Sequence, residues 1–277
     1  MTRRHVTALA RGTFRETVRD RVFYLVAVFG FVMLGSTAVL SPLTIGAQAK
    51  IVSDVGLAAM VLLGLMVVVF VGSGMVRKEM DKGTITTVLA RPVGRREYLL
   101  GKYLGLSLTM AVMLAIMGAV FLLMLLLSPG AFSLRFLSAF YLTFLELAVV
   151  TAVVVFFSTC VSPVLAAVFT LGVFAAGHLS QSIRDFGHLQ GSAVAKPLST
   201  AIYYATPNLE VFNVRGAVVH GDPVGLAHVL LATLYGACWV ALLLLVGGGV
   251  FARRELRGLA GARAASPGRR PASRWSR

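Results

Sequence analysis

Few side chains in this sequence are suited to chemistry, and they lie far apart. Glu146 is the only charged residue among the 44 from Phe136 to Leu179. An ionised carboxylate in hydrocarbon is costly, so such a group must face a bundle interior, find a partner or keep its proton. Two roles suit it equally: lining a path or relaying a proton, and making a structural hydrogen bond to a Ser or Thr on a neighbouring helix. The histidines (His5, His178, His188, His220 and His228) are scattered. His178 and His228 fall near one expected membrane face. A haem or metal between them is one reading, and solvated interfacial rings are the simpler one. Cys160 and Cys238 lie in or beside apolar runs and form no ligand pattern. No metal or other cofactor is expected. The chain has no G-x-x-x-x-G-K-[ST], H-E-x-x-H, C-x-x-C or G-x-S-x-G, so it offers no phosphate cradle, zinc pair or nucleophile elbow, and no catalytic residue is assigned.

The second concentration of reactive side chains is Arg77–Tyr103. It holds seven basic residues (Arg77, Lys78, Lys82, Arg91, Arg95, Arg96 and Lys102) and three acids (Glu79, Asp81 and Glu97) between two apolar runs. Ile85, Val88 and Leu89 recur at i, i+3, i+4, which predicts a short amphipathic helix. Thr84 suits its start and Pro92 its end. The spacing fits two readings equally. One is a lever, in which a force on the short helix moves both flanking spans. The other is an ordinary basic loop.

The elements that position these residues follow from composition. Of the 277 residues 57% are hydrophobic and 13% charged, with mean hydropathy +0.84. A soluble domain carries about 25% charged residues, so a water-soluble fold is excluded and an all-α integral membrane protein is expected. Covering ~30 Å of hydrocarbon takes about 20 residues. Six apolar spans meet that need approximately: 22–42, 55–76, 103–127, 136–159, 163–179 and 228–251. Ser128-Pro129-Gly130 ends the third, and the Ser158–Pro163 run breaks the fourth from the fifth. The first run is too long for a signal-peptide core and is read as retained. Before it, Arg11, Arg15 and Arg19 share one helical face and Val6, Leu9, Ala10 and Phe14 lie mostly on another. That pattern predicts an amphipathic helix lying in the headgroup layer; a plain solvated basic leader is the alternative. Gly101 and Gly105 have small-xxx-small spacing, read as a helix-packing face. Residues 180–227 are too long for a bare loop and should contain short interfacial or re-entrant helices. The membrane domain is set at 1–260, with a disordered basic tail at 261–277.

The net charge of +15 resembles that of a nucleic-acid binder, but its distribution argues otherwise. Six Lys/Arg fall in residues 1–21, seven in the central stretch, eight after Phe251 and only five elsewhere. Six spans place the three rich segments on one side. Basic residues accumulate on the cytoplasmic side, so both termini and the central stretch are expected there, in an inner or plasma membrane, with lipid and not nucleic acid as the surrounding partner.

A resemblance then favours the lever. Glu79, Gly83-Thr84, Arg91-Pro92, Arg95-Arg96 and Leu100-Gly101-Lys102 together resemble the permease subunits of ABC-2 type transporters. Pro207-Asn208-Leu209-Glu210 is similar to the subgroup linked to multicopper-enzyme maturation. The resemblance implies a half-transporter: two permease subunits pair, as a homo- or heterodimer, above two separate ATPases that bind the ATP. It makes the leader an elbow helix, 79–92 a coupling helix and 180–227 an external gate region. Glu79, Gly83, Thr84, Arg91, Pro92 and Arg95 become the ATPase-coupling set, and Glu146 stays a candidate pathway residue from its place in the span. Export is implied by the resemblance alone. Apolar spans favour a lipid-like or hydrophobic cargo, with copper-related, drug and polysaccharide cargoes left open. Two rivals stand beside it: a six-span membrane enzyme using Glu146 with His178, and a non-transporting membrane anchor.

Overall fold

The computed structural model describes residues 2–19, 24–40, 48–81, 95–127, 133, 135–189 and 195–264. Among these the chain is helical, with no strand. In chain order the helices are α1 (Thr2–Arg19), α2 (Tyr24–Leu40), α3 (Gln48–Asp81), α4 (Arg95–Leu127), α5 (Arg135–Cys160), α6 (Pro163–His178), α7 (Ser180–Leu189), α8 (Ala195–Ala205), a 3-10 turn (Leu209–Phe212), α9 (Arg215–His220) and α10 (Leu226–Ala264).

The bundle is built around α5. Residues 146–155 of this helix are buried on every face, which marks a helix enclosed by others. α3, α4, α6 and α10 pack against it, and α2 lies outside α3 and α4. α10 is the most peripheral long helix and leaves Leu230, Leu231, Leu234, Leu242 and Leu245 exposed. Four helices are long and apolar enough to cross a membrane, over Lys50–Met75, Glu97–Leu126, Arg135–Cys160 and Leu226–Val250. A fifth crossing arises if α6 is counted with the part of α7 up to Phe186, to which it joins at a 66° bend. The helix over the expected first span is the shorter α2, 17 residues, about 25 Å at 1.5 Å per residue. The described helices therefore give four or five crossings by length and composition, against six expected from hydropathy.

The break between the fourth and fifth expected spans falls where the sequence places it. α5 ends at Cys160, and Pro163 opens α6 at its first turn, where a missing N–H costs nothing. Ser158 and Thr159 donate to the carbonyls of Val155 and Phe156, each at 2.7 Å, and occupy carbonyls of the last turn of α5.

α1 forms in the expected place, and its partner is specific. It lies along the first turns of α4. A Cβ on Gly101 would meet Leu9 Cβ at 2.7 Å, and one on Gly105 would meet Thr13 Cβ at 2.5 Å and the Ala10 carbonyl at 2.8 Å. The Gly101/Gly105 face thus receives α1 and not another span. Thr13 and Thr17 are buried there, while Arg11 and Arg15 stay exposed.

Residues 180–227 contain short helices, as their length requires. α7 and α8 pack on one another, and α9 ends at Gly221 in a left-handed conformation, φ 85°. α10 runs on to Ala264; the rest of the expected basic tail, 265–277, lies outside the described residues.

Candidate functional site

The most charged interior site begins with the shortness of α6. α5 and α6 form a hairpin. Counting from its break at 161–162, Glu146 lies 14 residues back along α5 and His178 15 residues forward from Pro163, so both sit about 21–23 Å from it. α6 therefore ends at the depth of Glu146, in the middle of α5. Beyond it the chain bends away through α7 and α8 and comes back as the 3-10 turn. Phe212 of that turn is 2% exposed and would lie 3.3 Å from a Cβ on Gly236. Gly236 is ten residues into α10, about 15 Å below its start. The turn is re-entrant: irregular backbone at membrane depth, tolerated because protein surrounds it.

Pro207-Asn208-Leu209-Glu210 builds this turn. The Asn208 side chain caps it, accepting from the Glu210 N–H at 3.1 Å, and the Asn208 N–H donates to the Tyr235 hydroxyl at 2.7 Å. Leu209 is fully buried against the end of α6. A Cβ on Gly177 would meet the Pro207 carbonyl at 2.6 Å and Leu209 Cγ at 2.8 Å, so only glycine admits the turn there.

Glu210 is thereby aimed at His178. The His178 Nε2 lies 3.0 Å from Glu146 Oε1, and its Nδ1 lies 3.3 Å from Glu210 Oε2. The Glu146 side chain is 3% exposed, His178 24% and Glu210 44%. Glu210 also accepts from Asn213 at 2.9 Å, and the Phe174 ring packs edge-on against His178 at 4.6 Å. A neutral imidazole has one N–H and one lone pair. With a carboxylate at each nitrogen, the bridge holds one further proton, either as imidazolium or as one carboxylic acid. Two more contacts tie down the same end of the bundle. Arg215 pairs with Asp54 of α3 at 3.0 Å, and the Arg135 guanidinium donates to the Gly221 carbonyl.

A half-open cavity of about 400 Å³ adjoins the bridge. Leu57, Val61, Ala139 and Phe212 line its apolar part, and Glu146, His178 and Arg215 its polar part. Such an arrangement can hold a proton between two carboxylates or present negative charge to a cation.

Sequence reasoning names Glu146 with His178 only in the enzyme alternative, and the structure brings the two into contact at 3.0 Å. It misses Glu210, whose only signal is its place in the Pro-Asn-Leu-Glu run. His178 and His228 do not converge: His228 lies 3.0 Å from the Val211 carbonyl. Among the described residues no group of three His, Cys, Asp or Glu is placed to hold a metal ion. Of the coupling set, Glu79 falls in the last turn of α3 and Arg95 opens α4. Gly83, Thr84, Arg91 and Pro92 lie outside the described residues, as does the short helix expected to carry them.

The profile of the ABC-2 family transporter proteins matches residues 7–256. The chain belongs to the ABC-2 transporter family. It is the membrane permease component of an ABC transporter and a multi-pass membrane protein. Permeases of this family are transport subunits and not themselves enzymes, and they normally work with an ABC ATPase. No curated protein matches the chain in sequence. Within this permease the bridge lies midway along α5, in the half of the bundle where α6 stops short, and α1, the end of α3 and the start of α4 lie at the opposite end.

Proposed function

We propose that this permease is the membrane half of an ATP-driven exporter, powered through residues 79–95 by a separate ATPase subunit that alone binds ATP. The observation that carries the reading is the pair of struts flanking that segment. α3 has 34 residues and α4 has 33, each about 50 Å long, against ~30 Å of hydrocarbon. Both pass continuously from the bundle core to either edge of residues 82–94. A push on that segment has two rigid helices to travel along, which is what a rigid-body change of access requires.

In this reading Glu79, Arg91 and Arg95 make the main ATPase contacts, and Gly83, Thr84 and Pro92 shape the short helix between them. α1 is the elbow helix, held by Gly101 and Gly105. The chain crosses an inner or plasma membrane six times, with α2 and the α6–α7 pair as the two short crossings, and both termini are cytoplasmic. Two permease subunits pair through their membrane spans, and Glu146 belongs to the pathway.

Affinity purification of the tagged permease from mild detergent tests this. A P-loop ATPase should co-purify, and replacing Gly83–Pro92 with a flexible linker should remove it. An ATPase that survives the replacement, or charge reversal of Glu79, Arg91 and Arg95 together, would show that the coupling surface lies elsewhere.

A further inference from the structure

The transport reading leaves the cargo open, and the cavity beside Glu146 narrows it. At about 400 Å³ it falls within the range of small-molecule sites, which are mostly apolar with a few convergent polar groups. Glu146, His178 and Arg215 line it, and with their partners Glu210 and Asp54 behind them the charge is uneven. Arg215 is matched by Asp54 at 3.0 Å. The bridge has two carboxylates, Glu146 and Glu210, against one histidine. Even with one further proton on it, the bridge keeps a net negative charge. Glu146, the carboxylate that faces the cavity, is almost fully buried, whereas Glu210 is 44% exposed and stands behind His178. The C-terminus of α6 ends at the same place, and the negative end of a helix dipole favours a cation. Phe174 and Phe212 line the same space, and aromatic faces attract ammonium groups.

We infer that this cavity binds an amphiphilic organic cation, a singly charged ammonium on an apolar body, with the Glu146 carboxylate as its counter-charge. His178 holds one oxygen of that carboxylate, and the ammonium donates to the group from the cavity side. Leu57, Val61 and Ala139 take the apolar body. Glu210 and Arg215 act as positioning residues: the first orients His178, and the second ties α9 to α3 at the rim. The inference rests on the transport reading only for the use made of the site, not for the binding itself.

The test is equilibrium binding to the full-length permease in lipid nanodiscs, without any ATPase. Three probes share one ring system: naphthylmethylammonium, naphthylmethanol and naphthoate. The ammonium should bind saturably and at least 10-fold more tightly than the other two. Glu146→Gln keeps the size of the side chain and can still meet His178. It should weaken ammonium binding about 10- to 100-fold, the range for losing a charge-assisted hydrogen bond, and leave the alcohol unchanged. Val61→Trp fills the cavity with every charge in place and should abolish saturable binding, which keeps the test decisive if the Glu146 variant fails to fold. Equal uptake of all three probes, indifferent to both variants, would mean partition into lipid only and overturn the inference. Tightest binding by naphthoate, lost in Arg215→Gln, would overturn it in favour of an anion site. Either result leaves the transport reading intact, because that reading stands or falls on ATPase co-purification.

Discussion

The two ends of this bundle solve opposite problems with opposite chemistry. Where α1 meets α4, the helices close on glycine, and Leu9, Ala10 and Thr13 fill the space that side chains at 101 and 105 would take. The described ion pair there, Lys102 with Glu16, is long at 3.9 Å, and Glu16 is 55% exposed. At the other end the helices stop short, the chain re-enters, and contact passes through a buried carboxylate, an imidazole and a second carboxylate. The first end depends on shape and the second on charge. A surface that transmits force gains from close, apolar packing, which is stiff. A site that must bind and release gains from polar groups whose partners can be exchanged.

That contrast can be broken at either end. The largest effect is expected from His178→Ala, which takes away the hydrogen-bond partner of the buried Glu146. Removing one member of a buried charged pair costs about 3–5 kcal/mol. Thermal unfolding in detergent should show the loss, and Glu146→Leu in the same chain should restore part of it, because the orphaned carboxylate is then gone. No recovery in the double variant would mean that the bridge is not an energetic unit. Next comes Gly105→Leu, which drives a side chain into the Ala10 carbonyl. Overpacking of this kind costs about 1–3 kcal/mol. Protease cleavage within α1 should rise, and a variant as resistant as the parent would show that α1 does not depend on the glycine face. Asn208→Ala removes the cap of the re-entrant turn at about 1 kcal/mol, which faster hydrogen exchange at the Glu210 amide should report. Glu16→Gln should be the mildest, because the pair is long and Glu16 is 55% exposed, although Lys102 itself is buried. A larger shift in its unfolding midpoint would make the α1 end electrostatic after all.

The features legible in the sequence are those set by local pattern. Pro163 after Ser162 marks the α5–α6 break because a proline suits a first helical turn. The four-residue spacing of Arg11 and Arg15 marks an exposed face of α1. An acid alone in an apolar run marks Glu146 as inward-facing. What stays hidden depends on depth and on distant partners. Hydropathy registers that α6 is apolar but not that it ends halfway along α5, so it cannot tell a full crossing from a short helix followed by a bend. It pairs Gly101 and Gly105 with a generic neighbour, since nothing in their spacing names α1. The partners of Glu146 lie 32 and 64 positions along the chain, and only the turn built by Asn208 and Leu209 brings the second of them near.

The shortness of α6 bears also on how the chain enters the membrane. α5 and α6 are joined by two residues, and past Arg135, the first residue of α5, the only charge over both is Glu146. Inserted singly, α5 would carry an unpaired acid at a cost of about 2.5–3.5 kcal/mol, and the 16 residues of α6 would be short of a full crossing. Inserted as a hairpin, they bring His178 to Glu146 before the helices that follow them in the chain. Paired entry of the two helices would then lower the cost of bringing an acidic segment into the membrane, through the same contact that later faces the cavity.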